Sequence, residues 1–244
     1  MELNLKGKRA LVTGASKGIG KACASALGEE GCEVLIASRN PPPGARSKAI
    51  DLSQRGAPEA LAAWAGEIDI LVNTAGAIPG GDLLKVDEET WRRAWDLKMF
   101  GYINLSRQVY ATMKQRRCGV ILNIIGSAGE KMDAAYIAGS TANAGLMAFT
   151  RALGGAAPAD GIRVLGINPG PVSTDRLTSL YKQRAETLLG DASRYKELFA
   201  NMSFGRPATP EEIAWAAAFL VSERSAYTSG CILTIDGGLA NRSH

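Results

Sequence analysis

Apolar positions along the chain fall into two rhythms. Six short runs, ALVTG, EVLIAS, IDILVNTAG, GVILNIIGS, IRVLGINPG and CILTIDGG, are almost continuously apolar, rich in β-branched residues, and closed by Gly, Asn or Ser. Continuous apolar runs of this length are strands buried on both faces. Between them, apolar residues recur at helical spacing. One helix is predicted from Lys17–Gly18 to near Gly31, a long one from about Asp87 to Arg117, and another from about Ala135 to Ala157. A last one is announced by ATPEEIAWAAAFLVSE, where Thr209 caps, Pro210 takes the first turn and Glu212 completes a capping box. Strands alternating with helices predict an α/β fold: a single doubly wound Rossmann-type parallel β-sheet of about seven strands, flanked by helices. No repeat or linker divides residues 1–244, so one domain is expected.

In such a sheet, ligands bind beyond the carboxyl ends of the strands. The first run leads into Thr13-Gly14-Ala15-Ser16-Lys17-Gly18-Ile19-Gly20. Three glycines between a strand and a helix let the backbone turn tightly toward a pyrophosphate, and the helix start offers free N–H groups. The second run ends Ala37-Ser38-Arg39, without the carboxylate that would hold a ribose 2′-hydroxyl. Ser38, Arg39 and Lys17 suit a 2′-phosphate instead, so NADP(H) is the expected cofactor, with NAD(H) the other possibility and a merely solvated Arg39 the plain alternative.

The predicted long helix carries a further signal. Trp91, Trp95, Lys98, Tyr102, Leu105 and Val109 recur at alternating spacings of four and three, which is one helix face. Lys98 therefore stands on an apolar stripe, where a lone charge is costly to bury unless the amine snorkels outward.

Composition narrows the function class. A net charge of +4 and a pI near 8.9 over 244 residues is a mild excess, with no dense Lys/Arg run to suggest nucleic acid. No stretch has the apolar length of a membrane span, and MELNLKGKRALVTG lacks a signal-peptide layout, so a cytoplasmic setting is expected. Cys23, Cys32, Cys118 and Cys231 show no metal spacing and are expected to be free, mostly buried thiols. The only histidine is His244, the last residue, which leaves no internal histidine for a triad, a metal or a general base.

The ordered set Gly14…Gly18…Gly20, Asn73-Thr74-Ala75-Gly76, Ser127, Tyr136, Pro169-Gly170-Pro171-Val172-Ser173-Thr174 and Ile235-Asp236-Gly237-Gly238 resembles the short-chain dehydrogenases/reductases over nearly the whole chain. The resemblance implies that Asp51 and Leu52 contact the adenine. Asn73, Ala75 and Gly76 would line the cofactor near its adenine-side ribose and stabilise the sheet. Pro169, Val172 and Thr174 would hold the nicotinamide carboxamide. It also implies Tyr136 as proton donor, Ser127 as its partner on the substrate oxygen, a substrate lid around 173–206, and a homodimer or homotetramer. The helix after Tyr136 is rich in small residues (Ala138, Gly139, Ala142, Ala144, Gly145), which suits a close helix approach.

Three departures from the family pattern stand out. NPPPGARSKAI replaces a connecting helix, because three prolines forbid a helix interior. Ser140 stands where the family has the lysine that holds the nicotinamide ribose and activates the tyrosine. Lys98 stands where the family has an asparagine. A paired exchange is the sharper expectation: the Lys98 ammonium would reach across to the space above Ser140 and serve Tyr136. The other possibilities are positive charge from Lys131 or the oxidised nicotinamide, or loss of redox chemistry.

The reading is an oxidoreductase moving a hydride between NADP(H) and a carbonyl/alcohol pair, using Tyr136, Ser127 and Lys98. A non-redox isomerase, lyase or cyclase on the same scaffold, and a catalytically silent nucleotide-binding protein, stay open at this point. In the lid, Arg176, Lys182, Arg184, Arg194 and Lys196 either meet an anionic substrate or form a solvated face balanced by Asp175, Glu186, Asp191 and Glu197. Ile78, Pro79, Met132 and Leu177 suggest a partly apolar substrate pocket.

Overall fold

The structure, a computed structural model, describes residues 2–44 and 46–242; His244 and Ala45 lie outside them. Its centre is a seven-stranded parallel sheet: β1 Arg9–Thr13, β2 Glu33–Ser38, β3 Ser47–Ala49, β4 Ile70–Asn73, β5 Gly119–Ile124, β6 Ile162–Pro169 and β7 Ile232–Ile235, in the order β3-β2-β1-β4-β5-β6-β7. Six strands are the six apolar runs. The seventh, β3, lies in the short polar SKA stretch on the sheet edge, held only by β2. The order reverses direction between β1 and β4, which opens a crevice at their carboxyl ends.

Alternation along each strand divides the core between the two faces. Ala10, Val12, Ile70, Val72, Leu122, Leu165 and Ile167 pack with helix α1, Gly18–Glu29, and helix α7, Pro210–Val221. Leu11, Leu71, Ile121 and Val164 pack the other way, against α2, Ala57–Ala65, and α4, Gly101–Arg116. The α7 capping box forms as the sequence predicts, with both Thr209 and Glu212 engaged.

The predicted single helix from Asp87 to Arg117 is corrected. It consists of α3, Glu88–Trp95, then one wide π-helical turn, Asp96–Phe100, then α4. The widened turn contains Lys98. Its neighbours explain the placement: Trp95 donates from its indole to the Ala138 carbonyl (3.0 Å) and Tyr102 donates to the Ile124 carbonyl (3.0 Å), so the helix is pinned on both sides of the turn. Such turns are rare inside helices and concentrate near functional sites.

Helix α5, Ile137–Ala156, follows Tyr136, its N-cap residue. The close approach that its small residues suit is made, for three of them, within this chain. Ala138 and Ala142 are buried with Trp91 and Trp95 of the same chain, and Gly139 lies under Tyr136. Residues 173–206 form an excursion whose two ends are tied together. Ser173 donates to Ala208 (2.8 Å) and Ala208 to Pro171 (2.9 Å). The excursion holds α6, Asp175–Leu189, and a 3-10 segment, Ala192–Asn201, joined through edge-on contacts of Phe199 with Tyr181 and Tyr195.

No helix is long and apolar enough to cross a membrane. The cysteines are free, but only Cys23 is fully buried and Cys118 is exposed, which corrects the expectation of mostly buried thiols. Burial pushes the Cys23 thiol up to about 12.

Candidate active site

The glycine turn is shaped by close approach. A side-chain carbon at Gly20 would meet the Gly14 carbonyl at 2.6 Å and overlap Thr74 Oγ1; one at Gly14, which has φ +65°, would meet the Ala75 backbone at 2.8 Å. Thr13 Oγ1 accepts from the Thr74 amide (3.0 Å), and Thr74 Oγ1 donates to the Thr13 carbonyl, so the turn after β1 and the turn after β4 are locked together. Between them lies a cleft of about 310 Å³, lined by Gly14, Ser16, Lys17, Ile19, Gly20, Ser38, Arg39, Leu52, Ala75, Gly76 and Thr174 among others. Gly18 and Thr174 meet beside it: a carbon placed on Gly18 would stand 3.3 Å from the threonine methyl.

A second hollow, about 580 Å³, shares Arg39, Ala77 and Leu97 with this cleft and adds Asp51, Ile78 and Arg176. Asp51 accepts from the Ser53 amide and hydroxyl (3.0 and 2.8 Å), so its carboxylate orders its own turn.

Three expected cofactor contacts sit deeper in the frame. Asn73 is fully buried and its amide donates to Ser106 (3.2 Å) and Asn123 (2.9 Å), so its side chain ties β4 to β5 and α4 and does not line the cleft. Of the two roles expected for it, the sheet-stabilising one matches this geometry. Pro169 is buried at the end of β6, and Val172 is 6 % exposed in the bridge to Ala208.

Tyr136 is half-buried against a small apolar cluster of Ile78, Val86, Ala94, Ala138 and Ala142, bordered by Trp91 and Trp95. A short parallel bridge to Gly81 holds its backbone, with Gly81 donating to Ala135 (2.7 Å). Its ring lies across Gly139, where any added carbon would overlap it. Ser127 opens a 3-10 turn just past β5 and is half-buried.

The expected meeting of Lys98 with Tyr136 above Ser140 is not made. Lys98 Nζ donates to the Ile125 carbonyl (2.5 Å), and its stem packs on Gly76, with Cδ 3.1 Å from a carbon placed there. Loss of hydration, reinforced by the nearby Arg176 charge, pushes the amine down to about 7. Nor is the space at Ser140 vacant. That side chain is 5 % exposed, accepts from the Asp133 amide (3.0 Å) and donates to the Asp133 carbonyl (3.3 Å), folding the 127–136 segment onto α5. Lys131 donates to the Leu239 carbonyl (3.3 Å) and is committed there.

The group on the Tyr136 hydroxyl is Arg176. Its Nη2 donates to Tyr136 Oη (3.3 Å) and to the Ile78 carbonyl, and its guanidinium carbon stands 5.8 Å from the ring centroid. The sequence marks Arg176 only as one of five lid cations; nothing there singles it out. Met132, expected to line an apolar pocket, is 70 % exposed, while Ile78 is buried. No group of metal-binding side chains occurs among the described residues.

A glycine-locked cleft at the reversal point of a parallel sheet, with a tyrosine at the neighbouring helix start, defines a dinucleotide-dependent oxidoreductase class. Residues 14–240 match the family model described as enoyl-(acyl carrier protein) reductase. The 3-oxoacyl-(acyl-carrier-protein) reductase FabG of Vibrio cholerae is 34% identical over 97% of this chain and 99% of its own length. The 2-keto-3-deoxy-L-fuconate dehydrogenase of Xanthomonas campestris is 31% identical over 97% of this chain and 81% of its own. L-sorbose reductase of Gluconobacter frateurii, solved with NADPH and L-sorbose, superposes with a TM-score of 0.91 over all of both chains at 27% identity. The chain belongs to the short-chain dehydrogenase/reductase family, whose members are NAD(P)-dependent oxidoreductases.

Proposed function

We propose that this protein is an NADP(H)-dependent reductase of a carbonyl compound, acting reversibly on the corresponding alcohol, with Tyr136 as proton donor and Ser127 as the hydroxyl that orients the substrate oxygen. The observation that carries the cofactor choice is Ser38. Its hydroxyl is buried without a hydrogen-bond partner, on the wall of the cleft, next to Arg39 and in the same cleft as Lys17. A buried hydroxyl without a partner is costly. A 2′-phosphate on Ser38, Arg39 and Lys17 supplies both the missing acceptor and the charge that a guanidinium fork matches.

The residues present fit the dinucleotide. The glycine turn gives its backbone N–H groups and the start of α1 to a pyrophosphate. Leu52, Ala75 and Gly76 form an apolar and backbone wall on the adenosine side. NADPH, when bound, supplies the hydride. The chain's own work is to hold the carbonyl at Tyr136 and Ser127, keep water out, and hand over one proton from Tyr136 Oη. The excursion at 173–206, tied at its base, is the substrate lid. Lys98 backs the cleft floor, its stem packed on Gly76 and its amine bonded to the Ile125 carbonyl.

The same-family sugar and oxoacyl reductases support a redox reading over a silent or isomerising one. The test is NADPH and NADH titration followed by turnover on a panel of 3-oxoacyl thioesters, keto acids and ketoses. Tighter NADPH binding with NADPH consumption on at least one carbonyl is expected. Binding without turnover on any of them would sink the reading.

A further inference from the structure

In the resemblance, the cation serving the tyrosine stands one helical turn after it. Here that position is Ser140, and both of its hydrogen bonds go to the backbone of Asp133. Lys98, the other candidate, spends its amine on Ile125. The cation that touches the reacting oxygen comes from a third element, the first turn of the lid helix. Arg176 reaches Tyr136 Oη from there, and no carboxylate forms a salt bridge with it among the described residues.

Two local features permit the contact. Gly139 leaves room for the tyrosine ring to lie over the first turn of α5, where any side chain would overlap it. Thr174 caps α6 by accepting from Leu177, and that cap fixes where the first turn, with Arg176, points. The second bond of Arg176, to the Ile78 carbonyl, anchors the guanidinium to the loop after β4.

We propose that Arg176 is a catalytic residue which, delivered by the lid, performs for Tyr136 the task of the absent lysine. The inference rests on the reductase reading above. A guanidinium only donates, so Tyr136 Oη accepts from it and keeps its own proton for the substrate. In the reaction, the carbonyl carbon gains a hydride from NADPH. The Tyr136 O–H bond breaks, a new O–H bond forms on the substrate oxygen, and the phenolate recovers a proton from water. NADP⁺ and the alcohol are the products. As the proton leaves, the Arg176 bond changes from a bond to a neutral oxygen into one to an anion, and the attraction between two opposite charges is added to it. The stabilisation therefore grows toward the transition state, which is where it accelerates the step. Because Arg176 belongs to the lid, Tyr136 is served only while the lid lies in this position.

The experiment measures single-turnover NADPH oxidation, with KM and NADPH affinity, in R176Q, R176K, Y136F and K98M. Y136F is expected to lose about 10²–10⁴-fold. R176Q is expected to lose kcat by about 10²-fold with NADPH affinity unchanged. R176K should keep part of the rate, and added guanidinium ion, below denaturing concentrations, should restore part of it to the variant R176A. A purely structural lid role would raise KM, spare kcat and show no rescue. That pattern overturns the inference, as does an inactive K98M beside an active R176Q. If R176Q is near wild type while Y136F is inactive, the inference fails and the reductase reading stands. Full activity in Y136F overturns both.

Discussion

The adenosine half of the cleft and the catalytic half are built on different principles. Around Gly14, Gly20, Thr13 and Thr74, the working parts are backbone groups in contact, and position is fixed by sterics that no surface side chain can change. Around Tyr136, the working parts are charges on long side chains, and here the family arrangement has been redistributed. Ser140 ties α5 to Asp133, Lys98 bonds the Ile125 carbonyl just past β5, and Arg176 of the 173–206 excursion stands on the Tyr136 hydroxyl, where the proposal gives it the lysine's task. Backbone recognition leaves one solution, whereas a positive charge near one oxygen can be delivered from any element within a side chain's reach. The first half can therefore be built in few ways and the second in several.

The strongest way to break this contrast is Gly20→Ala. The added methyl would press on the Gly14 carbonyl, a backbone atom that cannot swing aside. Overpacking of this kind costs about 1–3 kcal/mol. If the cost falls on the turn that receives the pyrophosphate, NADPH binding should weaken roughly ten- to a hundredfold. Fluorescence titration checks it, and unchanged affinity would show that the turn is not the binding element. A smaller effect is expected from Arg39→Ala. An exposed charged hydrogen bond lies at the low end of the usual range, so NADPH should bind about tenfold more weakly while NADH binding is unaffected. Equal losses for both cofactors would remove Arg39 from the 2′-phosphate.

What could be read from the chain alone follows the same division. The glycine turn, the parallel sheet and the Thr209–Glu212 cap were legible because each rests on local sterics or on burial of both strand faces. Strand β3 was not, since SKA is short, polar and held only at the sheet edge. The wide turn at Asp96–Phe100 was invisible because the four-and-three stripe runs through it without interruption. The stripe did mark Lys98 as a charge in an apolar setting, but a periodicity names a helix face and not the acceptor on the far side. The Arg176–Tyr136 contact spans 40 positions of sequence and depends on how the lid folds back, so no local pattern encodes it.

Lys98 sharpens the comparison through pH. Its amine is held near 7 in the folded protein, below its ordinary 10.5, by lost hydration and by Arg176. Between about 7 and 10.5 the unfolded chain binds a proton there that the folded chain has released. Stability should therefore rise with pH through this window and be lowest, for this residue, below it. Lys98→Met removes the titrating group. Its melting temperature should exceed that of the parent most near neutral pH, and the gap should close toward pH 10.5. Thermal melts from pH 6 to 10 measure it. A constant gap across the range would mean that the amine stays charged in the folded state.

Ser140 gives the smallest effect. Ser140→Ala deletes one hydroxyl that joins α5 to Asp133, and an ordinary hydrogen bond of this kind is worth about 1 kcal/mol. A modest loss in a denaturant titration is expected, with kcat little changed, because the hydroxyl faces Asp133 and not Tyr136 Oη. Ser140→Lys is the informative counterpart. If the site is simply missing its lysine, restoring it should raise activity. In this structure the new side chain would enter a buried position, 5 % exposed, and displace the 127–136 segment that carries Ser127. Activity should therefore fall further than in the alanine variant, although the charge is the family's own. A gain in S140K over the parent would show instead that Arg176 is an incomplete substitute, and that the loop can yield to a lysine at little cost.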